Sequence, residues 1–315
     1  MRTPLAAAIL AASLGAAAQA PQPQPSSSPP PASRPESITL RAAQKLQAGD
    51  LAGALADANV AIAMDSYNSG AYALRGTIRM TSGDRPGALL DMTRAIELAP
   101  NVKGIEIVYT NRANLHWLEG RQKEALADVG KALQLRPDFA LALHVRARIK
   151  ADQGDLDGAI VDLDRAIALE PKMMPAYMAR AAVNLQAGRL PESISDYKTL
   201  MWSMPNDADV VASHGIVRGI LGETTPGIND LVKARAMNRL SVSDQDRGAA
   251  TSPLKRLDQY LEMNPNDARA QLMRGVLSIM NGDEPRGLRE IDRAVQVDPK
   301  LRPDADAVKS RMAPR

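Results

Sequence analysis

The chain contains no cysteine. Disulfides, thiolate metal sites, a cysteine nucleophile and a lipidated N-terminal cysteine are therefore all excluded. Histidine is almost as scarce, with residues at 116, 144 and 214 only. No two of them share the i, i+4 spacing of a helical metal site, so no metal and no cofactor is expected. Aromatic residues make up 3% of the sequence, so a core must be assembled from Ala, Leu, Ile, Val and Met. Neither charge dominates: 39 Lys and Arg stand against 36 Asp and Glu, a formal charge of +3. That balance offers no electrostatic case for a nucleic-acid partner. Catalytic patterns are missing too, with no G-x-S-x-G, no phosphate-binding glycine loop and no H-E-x-x-H. The expectation is a protein that is not an enzyme.

Long apolar runs are absent after the first twenty residues, so no later segment is expected to cross a bilayer. The N-terminus itself reads as an address. Met1-Arg2 precedes the uncharged run Leu5 to Ala17, and Ala18-Gln19-Ala20 fits the A-x-A cleavage pattern. This predicts a secretory signal peptide over residues 1–20, cut after Ala18 or Ala20. The run is shorter than the ~20 apolar residues of a spanning helix. Residues 21–36, rich in Pro, Ser and Gln, are read as a disordered linker that acts as a spacer. With this short, Ala-rich leader the expected location is the bacterial periplasm.

What the sequence has in abundance is repetition. Tyr72, Arg75-Gly76, Gly83-Asp84, Ala88, Asp91, Ala95 and Pro100 form a phrase. It returns about every 34 residues, as stacked helical hairpins do. The next copy has Tyr109, Arg112-Ala113, Gly120, Ala125, Asp128, Ala132 and Pro137; the one after has Arg146-Ala147, Gly154-Asp155, Ala159, Asp162, Ala166 and Pro171. Small residues let two helix axes approach closely. The glycine suits a left-handed helix end, the aspartate following it can cap the next helix, and the proline stops the second helix.

These residues resemble the tetratricopeptide repeat, a helix-turn-helix unit, over about residues 35–301. The resemblance implies an all-α fold, a right-handed superhelical solenoid of antiparallel helix pairs. Units fall at 35–68, 69–102, 106–139, 140–173, 174–207, 208–238 and 268–301. The main array is thus 37–238, about six units. Ser193, Leu200 and Gly227 stand where alanine is usual, so the fifth and sixth units depart from the pattern. Residues 239–251 are read either as an irregular joint or as a diverged repeat. Residues 252–301 are read as an orphan second helix from Pro253 to Met263 plus a final unit. A short capping helix and tail occupy 302–315.

Each unit also carries a base and an acid sixteen positions apart. They are Arg41/Asp57, Arg75/Asp91, Arg112/Asp128, Arg146/Asp162, Arg180/Asp196, His214/Asp230 and Arg274/Glu290. Recurrence in every unit favours a structural tie between helices, because binding residues differ from repeat to repeat.

In the family the first helices line a concave groove. The positions that would face it include Thr110, Asn114 and Trp117, His144 and Arg148, and Met178. The lining is neutral and mostly apolar, with Trp117 at its middle. Family members that grip a C-terminal carboxylate use Lys and Asn at fixed groove positions. This chain has Asn111 and Asn114 but lacks the matching lysines. The expected function is therefore a non-catalytic scaffold that holds a helix or extended segment of an envelope protein. An oligomeric structural component of an envelope assembly is the alternative, and an enzyme with an unrecognised site the remaining one.

Overall fold

A computed structural model describes residues 34–237 and 252–312 of the chain. The expected leader, nearly all of the Pro/Ser/Gln-rich linker and the break at 239–251 lie outside the described residues. Every regular element among the described residues is helical. The chain divides into two compact units, residues 1–149 and 150–315.

The first unit holds α1 (Pro35–Gln47), α2 (Leu51–Met64), α3 (Ser69–Ser82), α4 (Arg85–Leu98), α5 (Ile105–Leu118), α6 (Gln122–Leu135) and most of α7 (Ala140–Asp152). Helix α1 takes in the last two residues of the expected linker, Pro35 and Glu36. Neighbours in sequence pack as hairpins (α1 with α2, α3 with α4, α5 with α6), and α2 packs on α3 and α4 on α5. The second unit holds α8 (Leu156–Leu169), α9 (Met174–Gln186), α10 (Leu190–Ser203), α11 (Ala208–Ile220), α12 (Thr224–Ala236), α13 (Pro253–Met263), α14 (Ala268–Met280), α15 (Glu284–Val297) and α16 (Arg302–Met312). Its hairpins are α9 with α10, α11 with α12, and α14 with α15.

The turn between α3 and α4 shows why these residues make hairpins. Gly83 adopts φ +88°, open to glycine at little cost, and the Asp84 amide reaches back to the Arg79 carbonyl at 2.9 Å. This satisfies carbonyls at the end of α3. The Asp84 carboxylate then accepts from the Gly87 amide at 2.9 Å and caps α4. One Gly-Asp pair thus ends one helix and starts the next. Alanines 88 and 95 on α4 are fully buried, with Leu74, Ile78 and Met92 filling the space they leave.

Two features of the second unit differ from the sequence reading. Gly227, where alanine is usual, keeps the sixth pair close. It lies backbone to backbone against Gly215, and a Cβ added at either would come 2.5–2.7 Å from the other's carbonyl oxygen. Gly275 and Gly287 repeat the arrangement between α14 and α15. The second difference concerns the break at 239–251. Helix α14 packs on both α11 and α12, so the stack continues where the sequence register does not. Helix α13 takes no second-helix position. It lies on α9, α11 and α14 instead.

Candidate protein-interaction face

Four of the recurring charge pairs are forked hydrogen bonds. Arg75 donates from Nε and Nη2 to the two oxygens of Asp91 at 2.8 and 2.7 Å. Arg41 does the same to Asp57 at 2.7 and 2.8 Å, Arg112 to Asp128 at 2.8 and 2.7 Å, and Arg180 to Asp196 at 2.9 and 2.7 Å. Asp91 is 1% exposed, so a rigid planar donor suits it better than a flexible ammonium would. His214 Nδ1 lies 2.9 Å from Asp230, and Arg274 donates to Glu290 at 2.7 Å. Asp162 is buried and pairs with Lys150 at 2.9 Å, while Arg146 is half-buried on α7.

The same arginines reach a third helix. Arg75 Nη1 donates to Asn59 on α2 at 2.9 Å, Arg112 Nη1 to Thr93 on α4 at 3.1 Å, and Arg180 Nη1 to Asp164 on α8 at 2.6 Å. Each guanidinium therefore ties its own hairpin together and fastens it to the second helix before it. Tyr72, Tyr109 and Tyr177, three residues before these arginines, lie under them at 5.5–5.8 Å. These acids and bases are thus engaged with one another, and they hold the stack that presents the first helices.

On the face of the first helices, the structure brings three of the expected residues together. The Arg148 guanidinium stacks on the Trp117 indole, 3.8 Å from its centroid, and Arg148 Nη1 donates to Asn114 Oδ1 at 3.2 Å. Helix α5 supplies Trp117 and Asn114 one turn apart, and α7 supplies Arg148. Trp117 is largely covered, whereas Asn114 and Arg148 remain half-exposed. The other three are placed differently. Thr110 is fully buried and donates its hydroxyl to the Glu106 carbonyl of its own helix at 2.7 Å. His144 is buried on α7. Met178 belongs to the second unit, half-buried against that unit's core.

Burial pushes the imidazoles of His116 and His214 down from the ordinary histidine range, and Asp230 beside His214 acts in the opposite direction. No group of three or more His, Asp or Glu able to hold a metal ion occurs among the described residues. No described helix is long and apolar enough to cross a membrane. Sequence reasoning missed one cationic recess. Arg274, Arg286, Arg289 and Arg293 line a cavity of about 350 Å³ around Glu290. Arg286, Arg289 and Arg293 are three and four residues apart on one helix, which was the available signal.

Fold and site together define a class: an all-α array of stacked helical hairpins whose first helices offer a face. Family models described as tetratricopeptide repeat match residues 107–139 and 144–200. The chain thus carries tetratricopeptide repeats over these residues. Solved structures agree at the level of the fold. A tetratricopeptide repeat protein from Parabacteroides merdae is 17% identical with a TM-score of 0.55, over 88% of this chain and 98% of that one. PilW, described as a type IV pilus biogenesis factor, is 21% identical with a TM-score of 0.59, over 66% of this chain and 94% of its own. The pilF protein of Pseudomonas aeruginosa is 13% identical with a TM-score of 0.57, over 73% and 96%. A comparison with curated proteins finds no match.

Proposed function

We propose that this protein is a non-catalytic scaffold of the bacterial periplasm that holds a helix or extended segment of an envelope protein against its first helices. The observation that carries the reading is the Arg148–Trp117–Asn114 group. It sets a half-exposed guanidinium on an indole. Trp and Arg are the side chains on which protein interfaces most often turn, and stacking fixes the Arg in place before any partner arrives. Export is supported by the leader over residues 1–20. An envelope partner is in keeping with the pilus-biogenesis description that PilW carries.

The test is crosslinking in intact cells with the wild-type chain and with Trp117→Ala and Arg148→Ala. Wild type should capture particular envelope proteins and both variants should lose them. Capture of the same proteins by both variants, at unchanged melting temperature, removes this face from the function. A fusion of residues 1–36 to a phosphatase active only outside the cytoplasm should be active; an inactive fusion removes the periplasmic assignment.

A further inference from the structure

Helix α13 stands outside the pairing scheme yet is firmly seated. It lies on α9, α11 and α14, each the first helix of its pair. Its buried residues are Pro253, Arg256, Leu257, Tyr260 and Leu261. These fall at i, i+3, i+4, i+7 and i+8, the single stripe of an amphipathic helix. Lys255, Glu262 and Met263 point outward. Arg256 Nη1 donates to Ser213 Oγ of α11 at 2.6 Å, and Arg274 Nη1 of α14 lies 3.5 Å from Asp258 Oδ1. An amphipathic helix from a second protein lies in a groove in this same manner.

The burial of α11 is an independent sign. Eleven of its thirteen residues are buried, against six of fourteen in the first helix α3. Asp209, Ser213, His214 and Arg218 are its polar side chains, and α10, α12, α13 and α14 pack around it. The seat is therefore part of the design of α11, and α13 fills it. The hold has a weak point. Arg256 is 4% exposed, and among the described residues its guanidinium bonds a neutral hydroxyl rather than a carboxylate. Burying a cation without a counter-charge costs free energy, which makes α13 a ligand that can be displaced.

We propose that the face of α9, α11 and α14 is a helix-binding seat with α13 as its resident internal ligand. The partner that takes the seat is an amphipathic helix of another protein with the stripe of Leu257, Tyr260 and Leu261. Binding therefore requires release of α13, and the free chain is self-blocked on this face. This rests on the reading that the first helices bind protein, and it extends that reading to the second unit.

The test uses the full chain and a labelled synthetic peptide spanning Ser252–Asn264, followed by fluorescence anisotropy. In wild type the tethered α13 competes at an effective concentration on the order of millimolar, so peptide binding is weak. Leu257→Asp in the chain loosens the resident helix. The peptide, which keeps its leucine, should then bind at least about tenfold more tightly, and a peptide carrying the same substitution should not bind. Leu261→Ala should act in the same direction with a smaller effect, and it guards against a Leu257→Asp chain that fails to fold. If a variant keeps native helical content and takes up the peptide no better than wild type, the proposal falls. A wild-type dimer that excess peptide dissolves would make a second copy the occupant and overturn the partner named here. Trp117 and Arg148 lie in the first unit, so loss of capture there and failure of peptide exchange here are separate results.

Discussion

At the scale of single residues, the molecule is organised by carboxylates that its own arginines hold. Asp57 is the plainest case. Its hydrogen bond from Arg41 holds the carboxyl well below the ordinary 3.8, at about 2, against the opposing effect of burial. A group whose folded pKa is depressed adds stability above its unfolded pKa and loses it as pH falls through the folded one. The stabilisation from Asp57 should therefore be complete above about pH 4 and vanish by about pH 2. Melting temperatures of wild type and Asp57→Asn, measured from pH 5 downward, should differ at pH 5 and converge near pH 2. A gap that stays constant across that range would show that the carboxylate charge contributes nothing. The sequence made such pairs visible because they recur at one spacing. The third contact, from Arg75 to Asn59 or Arg112 to Thr93, was not legible. Its acceptor changes identity from unit to unit, and only the stacking of helices brings it within reach.

At the scale of elements, the distance between two helices in a pair is set by what stands at their crossing. Alanine on alanine is usual here, but α11 and α12 cross glycine on glycine. Gly227 read only as a departure from the pattern, because a sequence records which side chain is missing and not what fills its place. In the folded pair the missing Cβ is replaced by the facing backbone. Gly227→Ala should force that crossing apart, at a cost of about 1–3 kcal/mol, read as a lowered midpoint in chemical denaturation. The same exchange at Gly130, which has nothing within 4 Å of an added Cβ, should be neutral or slightly stabilising through helix propensity. Equal effects at the two sites would sink the close-crossing argument.

At the scale of the whole molecule, protection is unevenly distributed. Eleven of thirteen residues are buried in each of α11 and α14, against four of fourteen in α2. In a repeat array each pair is stabilised mainly by its neighbours, so local opening should follow local burial. Native-state hydrogen exchange should therefore find the slowest amides in α11 and α14 and faster ones in α2. Uniform protection along the chain would indicate a single cooperative block instead. The groove residues divide along the same line. The family resemblance set Trp117 and Arg148 on one shared face, yet their stacking needed two successive first helices to meet. Thr110 shared the same spacing and turned its hydroxyl into its own helix.

The sequence alone determined the helix pairs, their turns and their forked ties. These depend on residues close together or on spacings that repeat, and both can be read along a line. Only the tertiary structure decided what covers what: that α14 continues the stack past the break, that α13 rests on three first helices, and that Gly227, standing where alanine is usual, touches Gly215. The physical reason is that an apolar stripe requires burial but is indifferent to the surface that provides it.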